Sequence, residues 1–94
     1  MLGDDPEIIA EVLSLTKTQL SLSVQIVEKG IERRQYRLLQ NEGHKLYGTA
    51  VSAGLPRLAK LARQLELSPK HDAVQIEELS ALVLDELLLC QGLI

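Results

Sequence analysis

LQNEGHKLYGTAVSAGLP, residues 39–56, carries small or apolar side chains at Leu39, Gly43, Leu46, Ala50 and Ala53. A recurrence every three to four residues puts all five on one face of a helix. Gly54 ends that helix, and Pro56 suits the first turn of another. So short a connection turns the two helices into antiparallel neighbours. The first of the pair is expected over about 32–53 and the second over about 56–67. The second shows Leu58, Leu61, Ala62 and Leu65 toward the core.

Two further helices flank this hairpin. One is expected over about 6–29, with Asp5 as cap, Pro6 at the first helical position and Glu7 at the positive end of the dipole. It has two apolar stripes, Ile9, Leu13, Leu20, Val24, Val27 and Ile8, Val12, Leu15, Leu22, Ile26, as a helix touching two neighbours would. Gly30 is its expected end. After the polar turn Ser68-Pro69-Lys70-His71-Asp72, Asp72 and Gln75 resemble a capping box and open a helix over about 73–91. That helix carries Ile76, Leu79, Val83, Leu87 and Cys90 on one face, and nothing alternates like a strand. The expected fold is all-α, an up-down-up-down antiparallel four-helix bundle forming a single domain, 1–94.

Composition narrows the function. With 94 residues the chain supports one core but no deep substrate cavity. Tyr36 and Tyr47 are the only aromatic residues, so the core is aliphatic. The net charge of −3 gives no general attraction to nucleic acid or anionic lipid. Cys90 alone cannot form an internal disulfide, which fits a reducing cytoplasm. No signal peptide is evident and no apolar run is long enough for a membrane span. Carboxylates are scattered at helix starts and polar faces. His71 lies in the polar turn, apart from His44, so no zinc site is expected. The chain is expected to be a monomer, although Leu84 and Leu88, off the main stripe of the last helix, offer a surface for oligomerisation.

The outer face of the second helix carries the chemistry. Arg34, Arg37, Asn41, His44, Lys45, Gly48 and Ser52 project within an arc of about 100°. His44 then faces solvent, where an imidazole is available as a nucleophile near neutral pH. Arg34, Arg37 and Lys45 supply charge for phosphoryl oxygens or an acidic partner. Gly48 costs about 1 kcal/mol within a helix. Its missing side chain leaves room for another protein to reach the ring. Counting equal heights from Gly54 brings Gln64 level with His44, as a candidate for orienting the imidazole.

The run His44-Lys45-Leu46-Tyr47-Gly48-Thr49-Ala50, then Gly54-Leu55-Pro56-Arg57-Leu58, then Leu61-Ala62-Arg63-Gln64-Leu65-Glu66, resembles the signature of histidine phosphotransfer (HPt) domains. The family pattern is His-x-Leu-Lys-Gly-[Ser/Thr]-Ala, a glycine, and a Leu-rich helix ending near Leu-Glu. The opening Leu2-Gly3-Asp4-Asp5-Pro6-Glu7 is also similar to the start of these domains. The variants His-Lys-Leu-x-Gly at 44–48 and Gly-x-Pro-Arg-Leu at 54–58 are similar to C-terminal domains of bacterial hybrid sensor histidine kinases. The end at Ile94, without a polar tail, favours a domain excised from such a kinase over a free protein. The resemblance implies that His44 accepts a phosphoryl group from a receiver-domain aspartate and donates it to another receiver. It implies no intrinsic cofactor or ATP use, with Mg²⁺ and catalytic carboxylates on the response regulator. Tyr47 stands where the family usually has lysine. That departure favours the alternative, a docking module that binds or inhibits a receiver or kinase without carrying phosphate.

Overall fold

The described residues form four helices in a computed structural model: α1 (Pro6–Glu32), α2 (Tyr36–Ala53), α3 (Pro56–Glu66) and α4 (Ala73–Leu93). The structure describes the backbone of residues 6–93 and the side chains of residues 11 and 14–92. Asp5 as cap, and the side chains of Glu7, Ile8, Ile9, Val12 and Leu13, lie outside the described residues. Among the described residues there is no strand, and no helix is long and apolar enough to cross a membrane. The chain is an all-α helical bundle.

The ending of α1 differs from the sequence expectation. Gly30 lies inside the helix, which runs two residues further to Glu32. The turn is made by Arg34, at φ 54°, in the left-handed position that glycine usually fills. Gln35 N–H donates to the Gly30 carbonyl (2.9 Å) and Arg34 N–H to that of Ile31 (3.3 Å), a Schellman ending. Gly30 is small for another reason: a Cβ there would stand 2.6 Å from Leu39 Cδ2. As a result α2 starts at Tyr36, not near residue 32, and Arg34 belongs to the turn rather than to the outer face of α2. Gly54, at φ 71°, closes α2 as expected, with Leu55 N–H donating to the Ala50 carbonyl at 2.8 Å.

The core is aliphatic. Leu20 and Val27 from α1 meet Leu39, Leu46 and Ala50 from α2, Leu58, Ala62 and Leu65 from α3, and Ile76, Val83, Leu87 and Cys90 from α4, all buried. Burial pushes the Cys90 thiol pKa up. Of the described residues in the second stripe of α1, Leu15 and Leu22 are exposed, against expectation, and Ile26 is half-buried. On α4, Leu84 packs against the core while Leu88 stays exposed.

Polar bonds set the register between helices. Ser23 Oγ donates to Glu42 Oε1 (2.8 Å) and Thr49 Oγ1 to Gln19 Oε1 (3.2 Å), linking α1 and α2. The Tyr36 hydroxyl donates to Glu77 Oε1 (2.7 Å), which raises the tyrosine pKa and pins the start of α2 to α4. Asp72 caps α4 by accepting the Gln75 N–H at 3.0 Å.

Ser80 is the exception. Its hydroxyl is fully buried on α4 and has no hydrogen-bond partner. A buried polar group without a partner costs stability, and alanine is the better helix former. Ser80→Ala is therefore expected to raise stability by about 1 kcal/mol, a gain of roughly 4–8 °C in Tm for a domain of this size. Thermal unfolding followed by circular dichroism checks it.

Candidate functional site

The site forms at a close approach of α2 and α3. Gly43 is buried there, and a Cβ on it would meet the Ala62 carbonyl oxygen at 2.9 Å and the Glu66 amide nitrogen at 3.2 Å. The glycine lets the two backbones touch just below His44. Gln40 strengthens the seam, its Nε2 donating to the Ser68 carbonyl at 2.6 Å, past the end of α3.

His44 projects outward, with 77% of its side chain exposed. Its Nδ1 meets Glu66 Oε2 at 2.5 Å, while the Glu66 side chain is only 17% exposed. An ionised carboxylate can only accept a hydrogen bond. A neutral ring bonded in this way carries its proton on Nδ1 and its lone pair on Nε2. Glu66 Oε1 accepts from Arg63 Nη1 at 3.2 Å, and the Arg63 guanidinium lies 5.0 Å from the centre of the Tyr47 ring. A shallow recess around His44 is lined by Arg37, Gln40, Asn41, Glu66 and Lys70.

The sequence candidates divide accordingly. Arg37 shares the recess with His44. Gly48 is exposed, with open space where a Cβ would stand. Lys45 is exposed but lines a different notch, between α1 and α2, with Gln19, Ser23, Glu42 and Thr49. Arg34 sits in the turn before α2. Gln64 does not reach the imidazole's recess; it lines a separate depression with Leu67, Ser68, Gln75 and Leu79. The cause is the reflection point. A count from Gly54 reflects His44 onto residue 64, whereas the bond to Glu66 puts the point of reflection at Leu55, the second residue of the link. Two residues turn a helix by about 200°, which sends Gln64 to the other side of α3.

Three residues of the site escaped sequence reasoning. Glu66 belongs to the matched motif, but nothing local marks it as the partner of His44. Arg63 was visible only as the neighbour of Gln64. Lys70, one turn beyond Glu66, was readable only as part of a polar turn. Glu42 faces α1, away from the recess around His44. It is 5% exposed and bonded to Ser23, not one of the carboxylates scattered on polar faces.

The arrangement presents an exposed imidazole, held at Nδ1 by a carboxylate and bordered by the positive charge of Arg37 and Lys70. Such a group can take a phosphoryl group and stabilise the cationic ring that results. Among the described residues no group of three or more His, Cys, Asp or Glu side chains can hold a metal ion. Comparison with curated proteins and with solved structures matched nothing. The family model described as the Hpt domain matches residues 11–89. With that match spanning most of the chain, and His44 exposed on its second helix, the chain belongs to the Hpt domain family, whose role is histidine phosphotransfer in two-component signalling.

Proposed function

We propose that the chain is a phosphorelay intermediate that accepts a phosphoryl group on His44 Nε2 from a receiver-domain aspartyl phosphate and passes it to a second receiver. The observation that carries this reading is the hydrogen bond from His44 Nδ1 to Glu66 on an otherwise exposed ring. In the transfer, Nε2 bonds to phosphorus as the bond to the aspartate oxygen breaks, and the carboxylate leaves with the electron pair. The ring keeps its Nδ1 proton and becomes cationic, which Glu66 stabilises. The return step reverses each change. A loose phosphoryl transition state leaves positioning and charge as the main demands on the protein. Arg37 and Lys70 supply charge at the rim, and Gly48 leaves the approach open. Lys45 steers at longer range. Mg²⁺ and the reacting aspartate belong to the receiver.

The reading includes a monomeric, cytoplasmic domain working free or within a hybrid sensor kinase. It also includes the up-down-up-down topology. That topology is supported by partner pairs running in opposite senses, Ser23 with Glu42 and Gln19 with Thr49, then Gln40 with Ser68 and His44 with Glu66.

The test is incubation of the chain with phosphorylated receivers. Acid-labile, alkali-stable phosphate mapped to His44 by mass spectrometry is the expected result. Receivers that bind without any transfer would replace the relay with the docking module.

A further inference from the structure

Glu66 has three rotatable side-chain bonds, and holding it in one rotamer costs side-chain entropy. A carboxylate that wandered would orient the imidazole only part of the time. The structure supplies a brace. Arg63, one turn before Glu66, holds Oε1 at 3.2 Å, leaving Oε2 to the His44 ring. Arg63 is itself seated on Tyr47, its guanidinium 5.0 Å from the ring centre. The four side chains close a circuit: Tyr47 on α2, Arg63 and Glu66 on α3, and back to His44 on α2, one turn before Tyr47. Tyr47 is half-buried and packed against the core, so the circuit has a fixed base.

We propose that Arg63, anchored on the Tyr47 face, is a positioning residue that holds Glu66 toward His44 and so fixes the Nδ1–H tautomer of the phosphoacceptor. The inference rests on His44 as phosphoacceptor, but the ring tautomer is measurable without any phosphoryl donor. The bland alternative is a surface ion pair with no effect on the imidazole, since Arg63 is about half exposed and such pairs often contribute little. The two readings differ in what happens to the ring nitrogens.

The experiment is ¹⁵N NMR of the His44 ring in the unphosphorylated chain, together with transfer rates from a phosphorylated receiver. The native ring is expected as the Nδ1–H tautomer. Arg63→Ala is expected to shift it toward Nε2–H, the form histidine prefers in water, and to slow transfer about fivefold. Tyr47→Ala should move both readouts the same way, whereas Tyr47→Phe, which keeps the aromatic face, should move neither. Arg63→Lys should restore them in part, having the charge but not the planar fork. An unchanged tautomer in Arg63→Ala, or a native ring already in the Nε2–H form, would overturn the proposal. A native chain that takes phosphate from no receiver would overturn the relay reading instead, and the tautomer would still decide the role of Arg63.

Discussion

His44→Gln is expected to abolish acid-labile phosphorylation, a loss of at least about 10³-fold, as when an enzyme loses its nucleophile. Glutamine is the informative replacement. Its amide can still donate a hydrogen bond to Glu66, but its nitrogen lone pair is delocalised and does not attack phosphorus. The native side chain is 77% exposed and fills no part of the core. Stability should therefore stay within about 0.5 kcal/mol of native. Phosphate transfer over time, with a thermal melt on the same samples, separates chemistry from folding. Glu66→Ala gives the graded counterpart: the nucleophile remains, but its proton and developing charge lose their partner. A reduction of about tenfold is expected there, the scale of one charge-assisted bond in the transition state. Retained transfer in His44→Gln would move the phosphoacceptor elsewhere and remove the basis of the relay reading.

The four helices were legible because burial imposes its own period on the sequence. Leu39, Leu46 and Ala50 recur as a core face must, and the same residues are buried in the bundle. Gly54 was legible for a local reason, since the left-handed turn it makes favours glycine whatever surrounds it. Gly30 misled because its cause is not local. It is glycine to admit Leu39 from the next helix, and the left-handed residue of that turn is an arginine. His44 and Gly48 could be placed on the outer face by angle alone. The partner of His44 could not, because a count across a turn fails by a whole face when the point of reflection slips by one residue. The brace of Arg63 on Tyr47 and the burial of Glu42 against Ser23 join residues from different helices, and no periodicity within one helix reports such pairs.

Gly43→Ala and Gly48→Ala are expected to change stability in opposite directions, although both put the same methyl on the same helix. Each gains about 1 kcal/mol of helix propensity. At Gly48 nothing lies within 4 Å of the added Cβ, so the free domain should be more stable by roughly that amount. At Gly43 the Cβ would lie 2.9 Å from the Ala62 carbonyl oxygen and 3.2 Å from the Glu66 nitrogen. Those atoms are backbone within a helix, so α3 must move as a body to relieve the overlap. Overpacking at such a contact outweighs the propensity gain, and a net loss of about 2 kcal/mol is expected, roughly 8–16 °C in Tm. The displaced element is the one that carries Glu66, so Gly43→Ala should also weaken the hold on Nδ1 and slow transfer in the molecules that remain folded. Gly48→Ala should weaken transfer by another route, by raising the receiver concentration needed while the ring tautomer stays native. Melting curves, the His44 ¹⁵N spectrum and the dependence of rate on receiver concentration distinguish the two. A stabilised Gly43→Ala domain with native transfer would mean that the close approach of α2 and α3 does not set the geometry at His44.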